Sequence, residues 1–171
     1  MLGFAAGGKR GDENVDTRAL FAAIAATLDG QLEAGTCFDL LIDGSDYATI
    51  EPGDARFAFA ANANALKGAL INLVLNAAQA GGSNIQLAAW RDTDDIFFTV
   101  TDDGQGIPEE ALPRLFEPFF TTRPQGTGLG LAVVRAVTRA HGGDVSVSRL
   151  RRGTRFTLRL PAAQIDGDIN D

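Results

Sequence analysis

Residues 64–101 constrain the fold of this chain more than any other stretch. Ala65, Leu66, Ala69, Leu70, Leu73, Val74 and Ala77 recur at three and four, the spacing of one helix face, and Gly81-Gly82 stops the run. Two alternating runs follow at once, at 85–90 and 96–101, and the short Asp92-Thr93-Asp94 connection predicts that they pair antiparallel. A helix followed by a hairpin breaks the strict strand–helix–strand order of a doubly wound parallel sheet. The rest repeats the mixture. Leu20, Phe21, Ile24, Ala25 and Leu28 form a second helical stripe, started by Asp16 or Thr17. A strand is predicted at 37–42, closed by Asp43-Gly44-Ser45-Asp46, and residues 47–51 and 55–60 read as a hairpin around Pro52-Gly53-Asp54. Pro108 opens a short helix at 109–116, and a glycine-rich stretch opens another at 131–140, which Gly142-Gly143 ends. A last hairpin, 145–150 with 154–160, turns at Arg151-Arg152-Gly153. The predicted class is α+β: a two-layer sandwich with one mixed β-sheet covered on one face by helices.

Residues 1–13 show no sustained period and read as a linker, and 162–171 as an acidic, disordered tail, leaving one domain over 14–161. With 45% hydrophobic and 22% charged residues, the chain can bury a core. Its formal charge of −7 offers no footprint for a nucleic acid, so an anionic ligand must be held by local groups. The one cysteine, Cys37, has no internal disulfide partner and reads as a buried apolar thiol. Asn72 and Asn76 interrupt the longest apolar run, which is far shorter than the ~20 residues that span a bilayer. Lys9-Arg10 follow the first apolar residues, the reverse of a secretory signal. The expectation is a cytoplasmic segment without membrane contact.

Three stretches carry chemistry. Asn72 and Asn76 are four apart, hence on one helix face, and that helix is otherwise apolar. Such amides serve either as internally paired structural groups or as ligands to a shared cation with phosphate oxygens. Asp102-Asp103-Gly104-Gln105-Gly106-Ile107-Pro108 stands at a strand end. Asp102 there can accept a hydrogen bond from an exocyclic amine, with Gly104 and Gly106 letting backbone approach a planar ring; an ordinary Asp-Gly turn is the alternative. Gly126-Thr127-Gly128-Leu129-Gly130-Leu131 leads into a helix, whose N-terminus favours an anion. Pro124 precedes it, and it lacks both the dinucleotide fingerprint and a Gly-Lys-Ser/Thr. Between the last two lies Phe116-Glu117-Pro118-Phe119-Phe120-Thr121-Thr122-Arg123: core phenylalanines, or a mobile segment bringing Arg123 beside the phosphates.

In their order, Asn-x-x-x-Asn, Asp-x-Gly-x-Gly, Phe-x-Pro-Phe-Phe, Gly-x-Gly-x-Gly and Gly-Thr-x-Phe at 153–156, these motifs resemble the ATP-binding domain of sensor histidine kinases. That family shares a superfamily with gyrase, the heat-shock ATPase chaperones and the mismatch-repair ATPases. The short Thr121-Thr122-Arg123-Pro124 segment is similar to kinases of the nitrogen-regulatory or flagellar-regulatory type. The resemblance implies a Bergerat-type fold binding ATP and Mg²⁺. It implies Asn76 as the magnesium ligand, Asn72 and Arg123 as catalytic groups, and Asp102 on the adenine. Gly104, Gly106, Ile107, Phe119, Thr122, Gly126, Thr127, Gly128, Leu129, Gly130 and Thr154 would complete the nucleotide site.

Asn72 discriminates within the superfamily, because its hydrolases carry Glu at the corresponding position. An amide takes no proton at neutral pH, whereas a neutral imidazole acceptor is already a nucleophile. The implied reaction is therefore transfer of the γ-phosphoryl to a histidine on a dimerisation segment, with a response regulator downstream, the isolated domain a monomer and the full-length kinase a homodimer. His141, the only histidine, resembles the family's Ala-His-Gly-Gly helix ending and reads as a terminal residue favoured by the helix dipole, not as the acceptor. The acceptor is expected upstream, since the Leu2-Gly3-Phe4-Ala5 segment is similar to the end of a dimerisation helix. A nucleotide-binding regulatory module without transfer and an ATPase of the same superfamily are the alternatives.

Overall fold

The computed structural model describes residues 12–122 and 128–162. Six strands form a mixed sheet: β2 (Cys37–Ile42), β3 (Ser45–Asp46), β5 (Asn84–Arg91), β6 (Asp95–Asp102), β7 (Asp144–Arg149) and β8 (Thr154–Pro161). Their order across the sheet is β3-β2-β5-β6-β8-β7; only β2 and β5 run parallel. A separate antiparallel ribbon joins β1 (Glu13–Asp16) to β4 (Ala58–Ala61). Three helices, α1 (Thr17–Leu28), α2 (Ala63–Gln79) and α3 (Gly130–Ala140), complete the domain.

Alternation along the strands decides which face is buried. Ile85, Leu87 and Ala89 of β5, Ile96, Phe98 and Val100 of β6, and Phe156, Leu158 and Leu160 of β8 point one way and are nearly inaccessible. Against them pack Phe21 and Ile24 of α1 and Leu66, Leu70, Leu73 and Val74 of α2, all at 0% exposure. The Phe98 ring stands 6.1 Å from Phe21 and 5.8 Å from Phe59, so it ties α1 and the ribbon to the middle of the sheet. The opposite face carries the stacked Trp90–Phe97 pair, ring centroids 5.2 Å apart, with Trp90 exposed. This is the predicted sandwich, helices on one face only.

Side-chain caps start the two long helices. Asp16 accepts from the Arg18 N–H at 3.3 Å for α1, and Asn62 from the Ala65 N–H at 3.0 Å for α2. Two further caps undo the predicted hairpin at 47–51 and 55–60. Asp46 accepts from the Ala48 N–H and Asp54 from the Arg56 N–H, and each starts a single 3₁₀ turn, Tyr47–Thr49 and Ala55–Phe57. Local acceptors of this kind compete with a strand ladder. The Gly53 N–H is drawn to Asp16, and β4 pairs with β1, so Glu13, the last residue of the stretch read as linker, belongs to a strand. The predicted helix at 109–116 is a 3₁₀ run, Glu109–Arg114, because Pro113 brings no N–H to an α-helical ladder. Cys37 is exposed, correcting the buried thiol: it alternates with Leu40 and Ile42, which fill the core, and shares the other face with Asp39. The tail expected at 162–171 lies, beyond Ala162, outside the described residues.

One polar latch holds the end of β6. The Asp103 carboxylate accepts from the Ser83 N–H at 2.8 Å, the Asn84 N–H at 3.0 Å and the Asn84 side-chain amide at 2.7 Å. These bonds favour the ionised form and pull its pKa from 3.8 down to about 2. A carboxyl depressed on folding stabilises the fold above its unfolded pKa, and the contribution fades as pH falls through the folded value.

Phe98→Ala should cost about 3–5 kcal/mol in chemical denaturation, the usual loss for a fully buried phenylalanine. Asp103→Ala should lower the melting temperature near neutrality, and its deficit against the native chain should shrink as pH falls from 3.8 towards 2. A deficit that does not change with acid would show that the carboxylate is not the stabilising group.

Candidate active site

Where α2 passes the ends of β6 and β8, a cavity of about 300 Å³ opens. The helix that fills the core with one stripe turns Asn72, Leu75, Asn76 and Gln79 into this cavity. Spacings of three and four place all of them on a single face, so the register that revealed Asn72 and Asn76 also contained Leu75 and Gln79. Asp102, Thr154 and Phe156 come from the strand ends; Gln105, Gly106 and Ile107 form one rim; Phe120, Thr121 and Thr122 with Gly128, Gly130 and Leu131 form the far end.

Among the predicted site residues, Asn72, Asn76, Asp102, Gly106, Ile107, Thr122, Gly128, Gly130 and Thr154 therefore meet in one cavity. Phe119 and Leu129 do not line it and are 76% and 41% exposed. Arg123, Gly126 and Thr127 lie outside the described residues. Leu115, Phe120, Leu131 and Phe156 were not singled out for the site, because in sequence an apolar cavity wall has the same signature as core.

Asp102 is the one carboxylate lining the cavity among the described residues, only 5% exposed. Burial pushes its pKa up; the Gly104 N–H, donating at 2.8 Å, opposes this, the neighbouring Asp103 charge adds to it, and the Thr154 N–H opposes it. The net shift is upward. Gly104 also lies close against α2. A side chain there would collide with the Ala80 carbonyl oxygen at the C-terminus of α2, to which Gln105 donates its N–H. Its role is to let the loop lie against α2, which sets the height of the rim.

Gly128, at φ +74°, has no room for a side chain because the Phe119 backbone crosses it, and the Phe119 N–H donates to the Gly128 carbonyl at 2.9 Å. Phe119 adopts φ +69°, a conformation that costs a bulky residue of order 1 kcal/mol or more and marks the junction as constrained. Just beyond, α3 begins without a side-chain cap from Leu129, and its first residues, Gly130 and Leu131, line the cavity end.

His141 lies at the other end of α3. Its Nδ1 donates to the Val137 carbonyl at 2.7 Å and its Nε2 accepts from the Asn62 N–H at 2.9 Å. These two bonds hold the ring at the helix end, where the sequence places a terminal histidine. No cluster of three or more His, Cys, Asp or Glu suited to a metal exists among the described residues.

Known proteins match this chain in sequence and in architecture. Residues 61–164 fit the family described as histidine kinase-, DNA gyrase B-, and HSP90-like ATPase. Sensor histidine kinase ZraS of Escherichia coli O157:H7 is 46% identical over 95 residues, 54% of this chain and 21% of that protein. This chain thus spans about a fifth of the length of that relative. The nucleotide-free catalytic domain of histidine kinase ThkA superposes with a TM-score of 0.76 at 27% identity, over 89% of this chain and 96% of that one. Full-length ShkA in complex with AMPPNP gives 0.73 at 28% identity, over 95% and 34%. The chain belongs to the histidine kinase-, DNA gyrase B- and HSP90-like ATPase family, as an ATP-binding catalytic domain of the sensor histidine kinase type.

Proposed function

We propose that this domain binds ATP with Mg²⁺ and transfers the γ-phosphoryl to a histidine on a dimerisation segment outside these 171 residues, from which a response regulator then takes it. The observation that carries this reading is the position of the carboxylates. The α2 wall offers amides, Asn72, Asn76 and Gln79, and the one carboxylate that lines the cavity among the described residues, Asp102, is buried at the strand ends. Hydrolysis needs a base beside the phosphates to activate water. A neutral imidazole needs none, and positioning with charge neutralisation suffices.

The residues divide the work accordingly. Asp102 accepts from the exocyclic amine of adenine, and the rim at Gly106 and Ile107 covers the base. Gly128 and Gly130 bring backbone to the phosphates, with the uncapped start of α3 contributing N–H groups and the positive end of its dipole. Asn76 holds the cation and Asn72 supports it and the phosphates, hard oxygen donors of the kind that Mg²⁺ takes alongside water and phosphate oxygens. Magnesium supplies neutralisation of charge on the transferring group. Arg123, Gly126 and Thr127 belong to the same phosphate loop in this proposal.

His141 is unsuited as acceptor because both ring nitrogens are engaged, at the end of α3 away from the cavity. An acceptor domain has a surface to meet: Phe119, Leu129 and Val133 are exposed apolar side chains around the cavity end of α3. No helix among the described residues is long and apolar enough to cross a membrane, in keeping with a cytoplasmic site of action.

Asp102→Asn should weaken MgATP binding at least tenfold by calorimetry, about 1.4 kcal/mol, without lowering the melting temperature, since an amide still accepts from Gly104 and the cost of a buried charge is removed. Because the Asp102 pKa is raised, nucleotide affinity should fall on acidification at a higher pH than an ordinary aspartate would give. With labelled ATP, the chain should phosphorylate a separately supplied histidine-bearing dimerisation segment, and Asn76→Ala should cut the rate on the order of a hundredfold. MgATP binding without phosphohistidine would mean a regulatory module, and steady phosphate release without acceptor an ATPase.

A further inference from the structure

We infer that His141 is a positioning residue that fixes the spacing of α2 and α3, and through it the separation of the Asn72 and Asn76 carboxamides from the N–H groups that open α3. The inference rests on the proposed nucleotide site. α2 and α3 run in opposite senses: Asn62, before the start of α2, meets His141, after the end of α3, while Asn72 and Asn76 share a cavity with Gly128 and Gly130. The imidazole is the polar bridge between the ends remote from the cavity. Its two nitrogens are not interchangeable there. The Asn62 N–H can only donate, so Nε2 is the acceptor, and the Val137 carbonyl can only accept, so the proton is on Nδ1.

The surroundings make this end rigid. The Asn62 side chain is committed to the Ala65 N–H, so its own backbone N–H depends on the ring. The Gly143 N–H donates to the Thr138 carbonyl at 2.9 Å, and a side chain on Gly143 would strike the Arg159 carbonyl of β8. α3 is thus anchored at its C-terminal end to both α2 and the sheet, while its N-terminal end carries the phosphate loop. An 11-residue helix is about 16 Å long, so a tilt of about 4° about the anchored end moves Gly130 by about 1 Å. Misplacement by about 1 Å is enough to cost on the order of a hundredfold in a positioned reaction.

The experiment compares His141→Leu, which removes both ring bonds, with His141→Gln, which keeps an acceptor and a donor, in the full chain. Calorimetry with MgATP and with adenosine separates phosphate positioning from the base pocket. The expected result is MgATP affinity weakened at least about fivefold in His141→Leu, unchanged adenosine affinity, and partial recovery in His141→Gln. Nitrogen spectra of the native imidazole should show the neutral, Nδ1-protonated tautomer, a signature independent of whether the Leu variant folds. Equal loss of both ligands, loss of neither, or an Nε2-protonated ring would overturn the inference. Failure of the native chain to bind MgATP would instead overturn the function on which it rests.

Discussion

Burial of one stripe of α2 against the sheet sets the rotation of that helix, and the site follows from the rotation. Leu66, Leu70, Leu73 and Val74 are fully inaccessible, so α2 cannot turn about its axis without exposing them. Each costs about 1.5–3 kcal/mol to return to water. Asn72 and Asn76 lie on the flank of the same helix, and their direction is a by-product of this apolar packing. The cavity thus needs little of its own to keep the amides in place. What it adds is depth, from a strand end on one side and a glycine-bearing loop on the other.

Two adjacent carboxylates at that strand end show how environment separates chemically identical groups. Asp102 is buried in the cavity and has its pKa raised; Asp103, one residue on and surrounded by three donors, is driven down to about 2. The alternation of β6 sends them to opposite sides. One becomes a latch that secures the β5 start to the β6 end, and the other is left with a desolvation cost that a ligand donor can offset. The loop that follows them is held against α2 through Gln105 and the Ala80 carbonyl.

Sequence patterns revealed the long helices, the two late hairpins and the order of the motifs, because there the hydrophobic period and the turn residues agree. They misled around 47–60, where Asp46 and Asp54 divert the backbone into local turns and the true partner of β4 is a strand some 45 positions earlier. No local signal marks a pairing of that range. Glu13-Asn14-Val15-Asp16 is too short and polar to read as a strand, and it becomes one only because Phe59 and Val15 meet above the core. At the cavity, Asn72, Asn76, Asp102 and Gly128 were legible since polar groups and glycines stand out on apolar elements. Leu75, Leu131 and Phe156 were not, because a wall facing a ligand and a wall facing core demand the same side chains. Gly104 stands out as a glycine, whereas its contact with the end of α2 leaves no mark in the local pattern.

The bond between the Phe119 N–H and the Gly128 carbonyl has a consequence for how such domains can diversify. It ties the two ends of the intervening segment together on the framework side, so the span between them is closed irrespective of what it contains. Doubling the length of a closed loop costs only about 0.6 kcal/mol, far less than the core supplies. As loop closure alone, a longer span between those two positions therefore costs the framework little. Evolution, or an engineer, can rewrite which surfaces and ligands that span meets while leaving the stability of the domain nearly untouched.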